Sequence, residues 1–118
     1  MIAANVPIFV ALDPVDMRKS FDALALCVRE QLGHDPQCGA LYVFAGKSGT
    51  RLKVLWFHQN GYCLLYKRLH RAVFRLPKGM EPASRSVEID LLELGKILDG
   101  IALSAKKREV RRISPALA

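Results

Sequence analysis

Two strand-like runs on either side of a tight-turn sequence restrict the fold of this chain more than any other feature. Residues 51–57 and 62–69 are rich in aliphatic and aromatic side chains, and Gln-Asn-Gly-Tyr lies at the junction between them. Asn-Gly suits the two central positions of a type I′ turn, because both positions need positive φ angles. The sequence therefore predicts a β-hairpin with Asn60 and Gly61 at its centre. In that register the opposed pairs are Arg51 with His70, Lys53 with Arg68, Leu55 with Tyr66 and Phe57 with Leu64.

Shorter runs predict further strands around this hairpin. Residues 6–12 are mostly apolar with a proline near the start, which favours an edge strand. Residues 41–44 predict a strand that a turn at 46–49 joins to the hairpin. Residues 73–76 can add a short strand, and residues 78–85 contain the glycine, proline and serine of an exposed loop.

Capping residues delimit two helices. Ser20 is a candidate N-cap for a helix that runs to residue 32, and Gly33 suits the left-handed position that ends it. Asp90 followed by Glu93 predicts a capping box at the start of a second helix. We expect an α+β fold with a meandering antiparallel sheet and both helices packed on one face. Residues 1–104 should form this single domain, and residues 105–118 a basic, flexible tail.

Composition excludes several classes of protein. The chain has 118 residues, 51% of them apolar, and no apolar run long enough to span a bilayer. Its amino-terminal run lacks a basic segment, so we expect no secretory signal. The three cysteines are widely spaced and form no zinc-type pattern with the three histidines. We therefore expect a cytoplasmic protein without disulfides, metal or other cofactor.

The distribution of charge points to an anionic partner. The formal net charge is +7, and the segment 46–79 contains eight basic residues and no acidic one. A protein surface normally mixes both signs, because like charges repel at short range. A broad, purely basic surface favours the nucleic acid backbone. A generally basic surface, or a docking patch for an acidic protein, is the alternative.

Strand alternation indicates which of these bases share a surface. In the predicted hairpin, Arg51, Lys53, Tyr66 and Arg68 lie on one face, and Lys67 lies on the other with the apolar residues. Cations interleaved with an aromatic ring suit phosphates and stacked bases. The alternative is that another element covers the middle of this face and leaves only a basic end. If the face is open, Lys53→Glu with Arg68→Glu should weaken binding without lowering stability.

A second basic feature lies at the start of the first helix. Arg18 and Lys19 precede backbone N–H groups that favour an anion. Asp13 and Asp16 in the same turn offer a different interpretation, in which Arg18 forms a local ion pair.

The sequence contains no catalytic motif and predicts no catalytic residue. Gly46-Lys47-Ser48 resembles the end of a P-loop but lacks the upstream glycine. The basic middle has no acids for a metal-dependent nuclease. A metal-free ribonuclease that uses His58 or His70 with arginines is the enzymatic alternative.

Several blocks of sequence, in order, resemble a transposon accessory family. They are Asp13-Pro14-Val15-Asp16-Met17-Arg18-Lys19-Ser20-Phe21-Asp22-Ala23-Leu24, Asp35-Pro36, Leu52-Lys53-Val54-Leu55, Gly61-Tyr62-Cys63-Leu64, Lys67-Arg68-Leu69, Leu91-Leu92-Glu93-Leu94 and Leu98-Asp99-Gly100-Ile101. Over residues 6 to 101 the chain resembles the TnpB accessory protein of insertion sequence 66-type mobile elements. It departs from that family at His58 and His70, where the family usually has acidic residues, so the acid-free stretch is partly particular to this chain.

The resemblance implies a bacterial accessory protein of DNA transposition, encoded beside a separate DDE-type transposase that performs the chemistry. DNA at the element ends and the transposase are the expected partners, and the expected location is the cytoplasm, at the nucleoid. A protein–protein adaptor that docks on the transposase is the alternative. The candidate DNA-binding residues are Arg18, Lys19, Lys47, Arg51, Lys53, Tyr66, Lys67, Arg68, Arg71 and Arg75.

Overall fold

A parallel β–α–β crossover and a β-hairpin build the sheet of this protein. A computed structural model describes residues 5–79, 81 and 83–100 of the chain. The predicted tail lies outside the described residues, as do residues 101–104. The elements, in chain order, are β1 Ile8–Ala11, α1 Phe21–Cys27, a π-helical turn Val28–Leu32, β2 Leu41–Ala45, β3 Arg51–His58, β4 Gly61–Arg68, β5 Ser86–Ile89 and α2 Leu91–Leu98.

The five strands form one mixed sheet in the order β4-β3-β2-β1-β5. Only β1 and β2 are parallel, and the other three pairs are antiparallel, which confirms the α+β class. The prediction that the first strand is an edge strand is wrong, because β5 pairs with its outer side. Strand β5 was not predicted from the sequence, and the predicted strand over residues 73–76 is wrong, because these residues form no strand.

The two helices lie on opposite faces of the sheet, so the prediction that they share one face is wrong. Leu24 and Val28 pack in a cluster with Tyr42 and Leu55. The α2 side chains pack in another cluster with the alternate strand positions; its members include Leu94, Ile97, Val43 and Val54. Neighbouring strand residues point to opposite faces, so each cluster occupies one side of the sheet. All five residues of β2 are consequently buried.

The predicted helix ends are confirmed. The first helical segment begins after Ser20, although the Ser20 side chain makes no capping hydrogen bond, and Gly33 ends it with φ of 74°. At α2, the backbone N–H of Glu93 donates to Asp90 Oδ1 at 2.8 Å, and the Asp90 N–H donates to Glu93 Oε1 at 3.0 Å. This reciprocal pair is the predicted capping box.

The hairpin is formed, but its turn lies one residue earlier than predicted. Gln59 and Asn60 occupy the central positions with φ angles of 46° and 71°, and His58 pairs with Gly61. This register sets Phe57 opposite Tyr62, where the two rings meet edge to face with centroids 5.2 Å apart. Cross-strand aromatic contacts of this kind stabilise a register. The displacement leaves each side chain on the face that the sequence predicted for it.

Neither described helix has the length or the apolar character needed to cross a membrane.

Candidate nucleic-acid interface

An open groove lies at one end of the sheet, where β1 and β2 both finish. The loop after β1 and the turn after β2 meet there, because parallel strands end at the same edge. The main part has a volume of about 620 Å³ and continues into a smaller part of about 210 Å³. Both parts share Arg51 and Tyr66. We call the surface formed by Arg18, Lys47, Arg51, Tyr66 and Arg68 the basic groove.

Backbone contacts hold the groove walls together. The Val15 N–H donates to the Ala45 carbonyl at 2.9 Å, which fixes the loop after β1 against the end of β2. The Gly46 N–H donates to the Arg51 carbonyl at 3.0 Å and closes the turn between β2 and β3. A Cβ on Gly46 would lie 2.7 Å from Met17 Cγ, so any larger residue there would require Met17 to shift.

Two arginines face each other directly across the groove floor. Arg51 is the cross-strand partner of Arg68, and both side chains are exposed. Within the described part of the chain, the ion pairs are Arg18–Asp16 and Arg85–Asp13, so neither groove-floor arginine has a carboxylate partner. Directly opposed like charges destabilise a sheet by up to about 1 kcal/mol. A bound anion would remove that repulsion.

Arg18 lies on the rim of the groove, where Asp16 neutralises it. The Arg18 Nη2 donates to Asp16 Oδ2 at 2.6 Å, and its Nε donates to both carboxylate oxygens at 3.1 Å. The side-chain and backbone hydrogen bonds from Arg18 hold the pKa of the Asp16 carboxyl well below its usual range. The ion-pair interpretation of this turn is therefore confirmed.

Lys53 lies under the groove, so the prediction that it faces solvent is wrong. It shares a face with Arg68, as predicted, but only 5% of it is exposed. Its Nζ donates to the Lys19 carbonyl at 2.6 Å and lies 4.7 Å from the centroid of the Tyr66 ring. The ammonium thus attaches the loop before α1 to the sheet. A Lys53→Glu exchange would put a carboxylate beside that carbonyl, so it should destabilise the fold.

Helix α1 covers the middle of this sheet face, which was the alternative left open by the sequence. Leu55 is fully buried beneath the helix, and Leu64 packs against the same cluster. The end with Arg51, Tyr66 and Arg68 stays open. Tyr66 is 51% exposed and lines both parts of the groove, so an aromatic surface lies among the cations.

The remaining candidate residues do not line the groove. Lys67 pairs with Leu52, so it lies on the opposite face of the sheet, the one that α2 covers. Arg71 and Arg75 are exposed in the irregular segment after β4. Lys19 is half-buried, and its carbonyl accepts the hydrogen bond from Lys53. Their part in binding remains a prediction.

Two hydroxyl groups line the groove that were not predicted from the sequence. Ser48 and Thr50 line its main part, with their side-chain oxygens 3.0 Å apart. Serine and threonine hydroxyls are frequent phosphate contacts. Their position on either side of a glycine, directly after Lys47, is the signal that could have identified them.

His58 and His70 lie far apart along the hairpin, so the ribonuclease alternative is limited to one of them acting with arginines, and that alternative remains a prediction. His58 lies beside the turn, and His70 follows the far end of β4. An eight-residue strand separates these positions by roughly 25 Å, at about 3.4 Å per residue. The two rings therefore cannot serve one phosphodiester as acid and base. The described residues contain no group of three or more potential metal ligands.

Comparisons with known proteins place the chain in a family. The family model described as IS66 Orf2 like protein matches residues 6–108. A protein of Sinorhizobium fredii with the name "Uncharacterized protein y4hO" is 41% identical over 97 residues, which are 82% of each chain. A second protein of that bacterium, "Uncharacterized protein y4jC", is 36% identical over 70 residues, or 59% of this chain and 60% of its own length. No solved structure matches.

The family match covers nearly all of the chain, including every strand and helix of the fold, and it confirms the resemblance that the sequence motifs indicated. The chain belongs to the IS66 Orf2-like family and is a transposition-associated accessory protein.

Proposed function

We propose that this protein binds DNA through the basic groove and assists a separate DDE-type transposase without performing chemistry itself. The observation that carries the proposal is the pairing of Arg51 with Arg68, exposed and without carboxylate partners in the described chain. An arrangement that repels itself in the free protein is stabilised by a polyanion. DNA is the polyanion that every transposition complex contains.

The composition of the groove matches a nucleic acid backbone. One guanidinium group can donate two parallel hydrogen bonds to the oxygens of one phosphate. The hydroxyls of Ser48 and Thr50 add uncharged hydrogen-bond donors. Lys47 contributes a third free cation from the turn between β2 and β3.

The lining of the groove supports a role without catalysis. Among the described groove residues, Asp16 is the one carboxylate, and both of its oxygens accept hydrogen bonds from Arg18. Its lowered pKa makes it a poor proton acceptor. No histidine lines the groove in this part of the chain. Cleavage and strand transfer are therefore assigned to the transposase.

Two neighbouring residues of β4 provide a matched test. Arg68 lies in the groove and Lys67 points to the other face, so Arg68→Gln and Lys67→Gln change the net charge equally at adjacent positions. Fluorescence anisotropy with element-end DNA should give about fivefold or greater weakening for Arg68→Gln and less than twofold for Lys67→Gln. Salt titration of Arg68→Gln should lose about one unit of slope.

Equal effects of the two exchanges would contradict the groove, because only long-range charge would then matter. Unchanged DNA binding by Arg68→Gln would also contradict it. If Arg68→Gln instead abolished capture of the purified transposase after nuclease digestion, the surface would be a docking site for an acidic protein.

A further inference from the structure

The ring of Tyr66 is held in a fixed position with one side in solvent. Lys53 Nζ lies 4.7 Å from the ring centroid and is itself fixed by its hydrogen bond to the Lys19 carbonyl. Lys53 is 5% exposed and Tyr66 is 51% exposed. The side of the ring that solvent reaches is therefore the side away from the ammonium, and it borders the basic groove.

The free arginines lie immediately beside this ring. Arg68 is two residues from Tyr66 on the same strand, about 7 Å along it, and Arg51 is the diagonal neighbour on β3. The three side chains line the smaller part of the groove together. The flat face of the Tyr66 ring therefore lies next to two groups that can bind phosphate, the guanidinium groups of Arg51 and Arg68.

Duplex DNA can meet the cations of this surface with its phosphates but offers no base face to the ring. Each base of a duplex is stacked on both faces and offers proteins only its edges and the backbone. An aromatic ring beside phosphate-binding cations is typical of proteins that bind single strands, where each base has a free face.

We propose that the basic groove binds single-stranded DNA, with one unpaired base stacked on Tyr66 and the adjoining phosphates held by Arg51 and Arg68. This inference rests on the proposed DNA-binding function and specifies its ligand. Lys53 acts as a positioning residue, because it fixes the ring without touching the DNA.

The test compares a fluorescent oligothymidylate of about 15 nucleotides, near the upper site size of single-strand-binding modules, with a blunt duplex of equal length. The wild-type protein should bind the single strand more tightly. Tyr66→Leu should weaken single-strand binding about tenfold and duplex binding less than twofold, with the salt slope unchanged because stacking releases no counterions. Tyr66→Phe keeps the ring and should stay within twofold of wild type.

Urea unfolding of each variant controls for loss of structure, and Tyr66→Thr, which suits a strand, replaces Tyr66→Leu if the latter does not fold. Equal affinity for both DNAs, or equal weakening by Tyr66→Leu and Tyr66→Phe, would overturn the stacking inference and leave the proposed function standing. Absence of binding to either DNA would instead overturn the proposed function.

Discussion

At the scale of single residues, the buried ammonium of Lys53 connects two layers of the molecule. It satisfies the Lys19 carbonyl at 2.6 Å, next to the start of α1, and lies against Tyr66 on the sheet. Replacing it with methionine keeps the apolar stem and removes the donor. We expect Lys53→Met to lower the free energy of unfolding by about 1.5–3 kcal/mol, the range for a hydrogen bond to a charged group. Urea denaturation measures this change.

Lys47→Met is the matched control for that exchange. Lys47 is exposed in the turn between β2 and β3, so its replacement should change stability by no more than about 0.5 kcal/mol. Similar destabilisation by the two variants would mean that the contact of Lys53 with the Lys19 carbonyl contributes nothing measurable.

Asp16 determines how much of the charge of Arg18 is available to a ligand. Asp16→Asn removes the carboxylate that now engages Arg18 with 2.6 Å and 3.1 Å hydrogen bonds. We expect this variant to bind DNA about two- to fivefold more tightly, with a salt slope steeper by about one unit, because one further cation then faces the phosphates. Weaker binding would mean that Asp16 instead orients Arg18 for contact.

The lowered pKa of Asp16 fixes the pH dependence of this effect. Protonation would imitate Asp16→Asn, but hydrogen bonding from Arg18 keeps the pKa of Asp16 below its ordinary value of 3.8. The carboxylate therefore stays charged throughout the range from about pH 8 to about pH 4, where an aspartate with the ordinary pKa would be partly protonated. The ratio of the affinities of the variant and the wild type should be constant there. A ratio that approaches one at the acid end would contradict the assigned pKa direction.

At the scale of elements, the sequence predicted which face of the hairpin each side chain occupies, but it did not predict the position of the turn. The true turn centre lies one residue before the predicted one, which changes each cross-strand partner by two positions. A shift of two keeps the parity of the pairing, so Arg51, Tyr66 and Arg68 still share a face. The contact between Phe57 and Tyr62 that sets the register involves ring packing, which periodicity does not encode.

The placement of the helices was misjudged although the sequence held a signal. Strand β2, Leu-Tyr-Val-Phe-Ala, is apolar at every position, which is typical of a strand covered on both faces. Two helices on opposite faces follow from that pattern. The burial of Lys53 had no comparable signal, because its partner carbonyl lies 34 residues away along the chain.

The turn between β2 and β3 forms one wall of the groove and depends on Gly46. An alanine Cβ there would lie 2.7 Å from Met17 Cγ, so Gly46→Ala should lower stability by about 1–3 kcal/mol through overpacking. Adding Met17→Ala removes the clash, and a double-mutant cycle should give a favourable coupling of about 1 kcal/mol. Additive effects of Gly46→Ala and Met17→Ala would contradict the contact between these two residues.

Gly95 in α2 gives the opposite expectation. Its position is exposed and has open space around it, so Gly95→Ala should raise stability by about 0.5–1 kcal/mol.

At the scale of the whole molecule, the net charge of +7 is larger than the number of cations that one bound ligand can contact. Helices α1 and α2 cover the two faces of the sheet and leave the basic groove at its end. Lys67 lies on the face away from the groove, and Asp16 neutralises Arg18. Charges more than about 8–10 Å from a ligand are screened at physiological salt. Binding should therefore depend on Lys47, Arg51 and Arg68.

Contact of Lys47, Arg51 and Arg68 with three phosphates predicts how steeply DNA affinity falls with salt concentration. For a single strand, the slope of log K against log salt is about −0.7 for each phosphate neutralised, so three contacts give about −2. Arg51→Gln combined with Arg68→Gln should reduce the slope to about −0.7. Arg29→Gln, at an exposed position in the π-helical turn, removes one positive charge outside the groove and should leave the slope unchanged. A wild-type slope of −5 or steeper would show that basic residues beyond the groove, such as Arg71 and Arg75, also contact the DNA.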